Sequence, residues 1–186
     1  FLGCDTQGVS CAMPPGRESD QVKRVREELG SYIVLVPGAR WKTKIWPAEK
    51  FGRLASLLNT RCIVVGGKAD EAKGREIEAL SGGKAISLAG RTDLAELVSI
   101  IKGARYMISN DSGPMHIAAG FGIPVVAIFG PTNPVRTGPY GEMHRIVTPQ
   151  IPCAPCYKRS CKDLRCMEAI SVEQVYEAIQ EEIKKQ

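Results

Sequence analysis

Short runs composed mainly of apolar residues recur along this chain. They occupy residues 32–36, 62–65, 85–88, 106–108, 125–129 and 145–147. Continuous apolar runs of this length are typical of strands that are buried on both faces, as the strands of a parallel sheet are. The pattern therefore predicts six short strands in a mainly parallel sheet.

The segments between these runs carry a different, helical spacing. In the segment 48–58, for example, Phe51, Leu54 and Leu58 fall on one face of a helix. Further helices are expected over 20–29, 70–80, 94–101, from 114 and from 172. Two of them begin with a capping-box pattern, formed by Asp93 with Glu96 and by Ser171 with Gln174. Because strands and helices alternate at least four times over short connections, we predict a doubly wound, Rossmann-like α/β domain.

A polar turn between the fourth and fifth runs is the most distinctive stretch. The segment 109–131 reads SNDSGPMHIAAGFGIPVVAIFGP and predicts strand, tight turn, helix, turn and strand. Ligands bind at the carboxyl ends of strands in open α/β sheets, and a helix N-terminus favours an anion. Asp111, Ser112, Gly113, Pro114 and His116 are therefore candidates for a phosphate site. The alternative is that Asp111 or Ser112 simply caps the helix.

Other candidate residues follow the neighbouring strands at the same edge of the sheet. The loop 40–44 carries three cations and offers Lys44 to a phosphate. Asp70 or Glu71 follows the second strand, where an acid commonly accepts hydrogen bonds from ribose hydroxyls. Thr132 lies in the loop after the fifth strand. Together these groups predict a site for a nucleoside diphosphate, although Lys44 alone could be a solvated charge and Asp70 a helix cap.

Composition narrows the class of ligand. The 186 residues are 44% hydrophobic and carry a net charge of +5, which suits one globular domain with an anionic small ligand or an acidic membrane surface. The lysines are spread along the chain and aromatic residues are few, so nucleic acid is not expected as a partner. No apolar run is long enough to predict a membrane-spanning helix.

Four of the seven cysteines form a cluster near the C-terminus. Their spacing is C-x2-C-x4-C-x4-C, at Cys153, Cys156, Cys161 and Cys166. Three interpretations are open: a structural zinc site, disulfides formed after purification, or free thiols. The odd number of cysteines favours a reducing, cytosolic environment.

The first part of the chain has little apolar periodicity. Residues 1–19 contain three glycines and two prolines, so we expect a linker or a remnant of another domain there. Residues 20–186 then form the domain that binds the ligand.

Several segments resemble one known family. PGARWKTKIWP, VVGGKADE, NDSGPMH, FGPTNP and the trailing CAPCYKRSCKDLRCM are similar to the C-terminal half of the ADP-heptose:lipopolysaccharide heptosyltransferases. That resemblance implies the GT-B architecture, in which two Rossmann-like domains face each other and the C-terminal one holds the nucleotide-sugar donor. It also implies that Lys44 reaches the donor phosphates and that residues 111–114 line the diphosphate and sugar. One of Asp70 and Glu71 would contact the nucleoside.

The same resemblance sets expectations for partners and location. The substrates would be an ADP-sugar and the lipopolysaccharide core, with no cofactor required. We expect the catalytic base and the acceptor platform in an N-terminal domain outside this chain, so that the fragment alone is inactive. The site of action would be the cytoplasm, at the inner face of the bacterial inner membrane, with peripheral membrane contact. The alternatives are a stand-alone module for nucleoside diphosphates and a GT-B transferase or epimerase that uses another sugar nucleotide.

Overall fold

Six parallel strands form one sheet in the computed structural model, which describes residues 13–183. The order across the sheet is β3-β2-β1-β4-β5-β6. The strands are β1 Tyr32–Val36, β2 Arg61–Val64, β3 Ala85–Ser87, β4 Tyr106–Asn110, β5 Val125–Ile128 and β6 Arg145–Val147. The predicted parallel, doubly wound α/β fold is therefore confirmed.

Helices cover both faces of this sheet. They are α1 Asp20–Leu29, α2 Ala48–Leu57, α3 Glu71–Leu80, α4 Leu94–Lys102, α5 Gly113–Gly120, α6 Pro134–Thr137, α7 Arg165–Glu168 and α8 Val172–Ile183. Side chains of β1 alternate between two cores, because successive residues of a strand point to opposite faces. Ile33 and Leu35 pack with residues of α2, α3 and α8, whereas Val34 and Val36 pack with residues of α1, α4 and α5.

Two helix starts form the predicted capping boxes. Asp93 accepts from the backbone N–H of Glu96, and the Glu96 carboxylate accepts from the N–H of Asp93. Ser171 and Gln174 make the corresponding pair at α8. Such reciprocal bonds satisfy backbone donors that the first turn of a helix leaves free.

The largest differences from the prediction lie in the loops. The loop 40–44 contains a 3-10 turn over Lys42–Lys44, and a second 3-10 turn, Lys68–Asp70, precedes α3. The four-residue helices α6 and α7 were not predicted. Elements this short contain about one turn, so they leave no periodic signal in the sequence.

The segment before α1 packs against the domain where the structure describes it. The backbone N–H of Arg17 donates to the carbonyl of Ala95 at 2.9 Å, and the Arg17 guanidinium is ion-paired with Asp93. Arg17 therefore lies against the start of α4, and the side chain of Met13 lies beside Gly120 of α5. Residues 1–12 of the predicted linker lie outside the described part of the chain, and the domain boundary stays a prediction.

Candidate functional site

The candidate site lies where the strand order reverses. β1 pairs with β2 on one side and with β4 on the other, so the loops after β1 and β4 leave the sheet in opposite directions. A crevice forms at such a point, outside the carboxyl ends of the strands. The loop 37–47 and the start of α5 form its two walls.

A buried ion pair joins these two walls. The Lys44 ammonium lies 2.6 Å from Oδ2 of Asp111, and the two side chains are only 15% and 6% exposed. The hydroxyl of Thr132 donates to the same carboxylate oxygen at 2.6 Å. Lys44 also lies 4.5 Å from the ring centre of Trp41. The interpretation of Lys44 as an ordinary solvated charge is therefore wrong, because it is mostly buried and paired.

Asn110 fixes the loop that carries Lys44. Its amide is fully buried, and its Nδ2 donates to the carbonyl of Pro37 at 2.9 Å. Its Oδ1 accepts from the backbone N–H of Trp46 at 3.2 Å. One side chain thus holds the beginning and the end of the loop 37–47. The sequence analysis did not single out Asn110, because it is one of several polar residues in the same turn.

The start of α5 presents backbone donors without a side-chain cap. Ser112 is the N-cap residue, yet its hydroxyl makes no capping bond and lies 3.2 Å from the hydroxyl of Ser109. Pro114 occupies the first turn, as predicted. A Cβ atom added at Gly113 would meet nothing within 4 Å. The capping alternative is therefore wrong for both Asp111, whose carboxylate binds Lys44 and Thr132, and Ser112.

A cavity of about 680 Å³ opens beside this helix start. It extends from the β4 end of the sheet across the loops that follow β1, β2 and β3. Its polar wall includes Ser112, Arg40 and Lys42, and its apolar lining includes Pro114, Val65, Leu94 and Leu97. A volume in this range suits a ligand of drug or nucleotide size. Arg40 and Lys42 were not singled out in the sequence, because the sequence of the loop 40–44 does not show which of its cations face the cavity.

The structure separates the two candidate acids after β2. Asp70 lines the cavity, accepts from the N–H of Gly67 at 3.2 Å and lies 2.9 Å from the ammonium of Lys73. Its side chain packs against Gly38 and Gly66, where any Cβ atom would collide with it. Glu71 points elsewhere: its carboxylate covers Gly90 and lies 3.7 Å from the Arg75 guanidinium.

Two of the remaining predicted residues have different environments. His116 lies on an exposed face of α5, and its imidazole makes no hydrogen bond to any other described residue. Thr132 is 4% exposed and belongs to the ion-paired network. His116 therefore lies near the site but outside the cavity wall.

The cysteine-rich segment, residues 153–166, packs beside the loop 37–47. The hydroxyl of Thr43 donates to the carbonyl of Lys158 at 2.8 Å, and the Arg159 guanidinium lies 4.9 Å from the ring centre of Trp41. Cys153, Cys156 and Cys161 are exposed free thiols, whereas Cys166 is buried. Burial raises the pKa of Cys166, and the nearby Cys156 and Cys153 thiols raise it further. Between residues 13 and 183, no group of three or more metal-ligating side chains is positioned to hold a metal ion.

The strand order and the site at the switch point together define a class of protein. The sheet has the strand order of a dinucleotide-binding domain, and its switch point combines a helix N-terminus, buried and exposed cations and a deep cavity. Folds of this class commonly bind anionic, nucleotide-like ligands at the carboxyl edge of the sheet.

The particular family follows from comparison with known proteins. Residues 13–166 match the model of glycosyltransferase family 9 (heptosyltransferase), and the chain belongs to this family. The lipopolysaccharide heptosyltransferase 1 of Pseudomonas aeruginosa is 34% identical over 134 residues, which are 70% of this chain and 37% of that protein. The lipooligosaccharide heptosyltransferase 2 of Campylobacter jejuni serotype O:6 is 34% identical over 155 residues, covering 78% of this chain and 49% of that protein.

Solved structures agree with this assignment. The Escherichia coli ADP-heptose lipopolysaccharide heptosyltransferase II superposes with a TM-score of 0.74 at 25% identity, over 91% of this chain and 53% of that one. A family 9 glycosyltransferase from Veillonella parvula gives a TM-score of 0.74 at 26% identity, over 89% and 51% of the two chains. The chain thus spans about half the length of these structures, and 37% and 49% of the two curated relatives. The expected GT-B relationship is confirmed. None of the helices within residues 13–183 is long and apolar enough to cross a membrane.

Proposed function

We propose that this chain is the donor-binding half of a transferase that moves a heptose from ADP-heptose to the lipopolysaccharide inner core. The observation that carries the proposal is the buried network of Lys44, Asp111 and Thr132 beside the uncapped start of α5. Family membership supports the same function. The reaction would take place on the cytoplasmic side of the inner membrane.

The cavity and the adjoining helix start would hold the parts of an ADP-sugar in sequence. The diphosphate would accept hydrogen bonds from the backbone at Gly113 and from Ser112, with Lys44 and Lys42 supplying positive charge. The ribose hydroxyls would lie near Asp70, and the base would pack against the apolar wall at Leu94 and Leu97, since all three residues line the same cavity. His116 would approach the outer phosphate from the exposed side of α5.

These residues would act on the leaving group. Cleavage of the bond to the sugar leaves negative charge on the diphosphate, and preorganised donors and cations stabilise such charge in the transition state. Lys44 is held in place before the donor arrives, because its ammonium is paired with the Asp111 carboxylate, which Thr132 in turn orients by a hydrogen bond. Little reorganisation would therefore be needed during the reaction. Removal of the proton from the acceptor would fall to a base outside this chain.

A nucleotide titration tests the proposal. ADP, UDP and GDP are titrated separately into the isolated chain by calorimetry, and we expect ADP to bind most tightly. The same chain is then incubated with ADP-heptose and a lipopolysaccharide core acceptor, where we expect no transfer. Tighter binding of UDP would assign the chain to another sugar-nucleotide class, and transfer by this chain alone would contradict the proposed division of labour.

Zinc binding by the cysteine cluster also stays a proposal. The spacing of the four cysteines supports it, whereas the absence of a preformed three-ligand group in residues 13–183 does not. Metal analysis of protein purified under reducing conditions decides the question. About one zinc per chain, lost in Cys156→Ser, would support a metal site, and titratable thiols without metal would exclude it.

A further inference from the structure

An exposed basic strip lies beside the donor cavity, and the proposed nucleotide contacts leave most of it unused. It consists of two cations on the loop after β1 and three on the cysteine-rich segment, together with one on α6: Arg40, Lys42, Lys158, Arg159, Lys162 and Arg136. All six are exposed. We call this surface the basic strip.

Specific contacts make the strip continuous. The bond from Thr43 to the carbonyl of Lys158 and the stacking of Arg159 on Trp41 join its first two parts. The backbone N–H groups of Cys156 and Tyr157 donate to the carbonyl of Pro131 at 3.0 and 2.7 Å. The Arg136 guanidinium lies 5.8 Å from the ring centre of Tyr157. The fold therefore holds the three segments that carry these cations next to one another.

The cations of the strip lack carboxylate partners. Within the described residues, none of the six forms a salt bridge. The one acid in the segment 149–165, Asp163, is paired with Arg165 at 3.2 Å. Uncompensated cations of like sign repel one another, so their proximity is stabilised when an anionic partner is present.

Exposed apolar groups accompany the charge. Val135 is 90% exposed, and Tyr157 is 41% exposed although its ring lies beside Arg136. Tyrosine is enriched where proteins meet the headgroups of a bilayer, and apolar side chains between cations suit the same boundary. A soluble anionic sugar would be recognised by a concave, polar cage, whereas this strip is open and partly apolar.

We propose that the basic strip is a docking surface for an anionic phospholipid bilayer. Lysine and arginine clusters of four to eight residues beside a membrane have this role, and each cation strengthens binding about five-fold. Docking through this strip would hold the mouth of the donor cavity close to the lipid surface. The value of holding the cavity near the lipid rests on the proposed function, because the acceptor of a lipopolysaccharide heptosyltransferase is a glycolipid. The binding of lipid by the strip does not depend on the proposed function.

Vesicle sedimentation tests the surface without any sugar donor. The chain is mixed with vesicles of phosphatidylcholine alone or of phosphatidylcholine with about one third phosphatidylglycerol. We expect binding to the anionic vesicles only, and a steep loss of binding as salt rises, because exposed charges are screened within a Debye length. Equal binding to both kinds of vesicle, or to neither, would overturn the proposal.

Matched double variants locate the binding to the strip. Lys158→Ala/Lys162→Ala should weaken partitioning into anionic vesicles about 30-fold, since two cations are removed. Arg61→Ala/Lys102→Ala removes the same charge from exposed positions at the opposite edge of the sheet and should change it little. Equal losses in the two variants would show that only net charge matters and would overturn the docking surface. Circular dichroism confirms that each variant is folded.

Two further measurements distinguish lipid binding by the strip from nucleotide binding at the donor site, and from binding of a soluble anion by the strip. ADP affinity should be unchanged in Lys158→Ala/Lys162→Ala, so a failure of lipid binding and a failure of nucleotide binding are distinguishable. Inositol hexakisphosphate serves as a soluble polyanion. If it binds the strip while anionic vesicles do not, the surface recognises a soluble anion and the proposal is wrong.

Discussion

Two basic regions lie side by side at the carboxyl edge of this sheet, and they use positive charge in opposite ways. In the first, Lys44 is 15% exposed and both of its neighbours, Asp111 and Thr132, are buried and hydrogen-bonded. In the second, the strip around Lys158 and Arg159, the cations are exposed and unpaired among the described residues. A buried charge must have a partner to be tolerated, whereas an exposed one needs none. The first region is therefore fixed by the fold before any ligand binds, and the second is available to a partner.

The largest expected effect follows from breaking the buried pair. Asp111→Ala leaves the Lys44 ammonium buried without its carboxylate and should lower the free energy of unfolding by about 3–5 kcal/mol. Urea denaturation followed by circular dichroism measures the change. The double variant Asp111→Ala/Lys44→Met should recover much of the loss, because no charge is left unpaired. A double variant as unstable as the sum of the two single changes would contradict this account.

A smaller effect is expected on nucleotide binding. Lys44→Ala should weaken ADP binding by about 10-fold to 100-fold, because a charged hydrogen bond contributes roughly 1.5–3 kcal/mol. Calorimetry with ADP measures it, and Lys42→Ala tests the neighbouring cation in the cavity wall. Lys162→Ala, in the strip, is the control. An unchanged affinity in Lys44→Ala would remove this lysine from the donor site.

The contribution of Asn110 to the loop that carries Lys44 can be tested by stability alone. Asn110→Ala leaves the carbonyl of Pro37 and the N–H of Trp46 without partners and should cost about 1–3 kcal/mol of stability. Ser160→Ala, an exposed change in the cysteine-rich segment, should stay within about 0.5 kcal/mol. Equal midpoints of denaturation for the two variants would show that Asn110 does not close the loop.

The smallest expected effect is a difference in reactivity between the buried and the exposed thiols. Burial raises the pKa of Cys62 to about 12, so this thiol stays protonated at pH 9 in the folded protein. Only the thiolate is nucleophilic, and alkylation of Cys62 should therefore be slow under native conditions. Peptide mapping after brief iodoacetamide treatment should find Cys153, Cys156 and Cys161 modified first, because they are exposed. Fast modification of Cys62 would mean that the strand β2 opens readily.

The sequence allowed the fold to be predicted because its signals are strong and local. Six apolar runs, two capping boxes and Pro114 each have one simple structural explanation, and the strands and long helices lie close to their predicted bounds. α6, at Pro134–Thr137, was missed because one turn leaves no period to detect.

The site was predictable only in part. The polar turn after β4 stood out by composition, so Asp111, Ser112 and Gly113 were candidates from the start. The pairing of Lys44 with Asp111 joins residues far apart in the chain, and no periodic pattern encodes such a contact. The same is true of Asn110, whose two partners lie in the loop after β1. Asp70 and Glu71 could be separated only once the direction of each side chain was known.

The strand order has a consequence for how the chain is made. β1 lies in the middle of the sheet and pairs with β2 and β4, and the register joins Ile33 to Tyr106. While the ribosome has yet to deliver β4, one side of β1 is an apolar strand with unsatisfied backbone groups. Such an edge is a template for pairing with other chains. During synthesis, the interval between the appearance of Val36 and of Tyr106 is therefore one in which we expect this edge of β1 to be open to pairing with other chains.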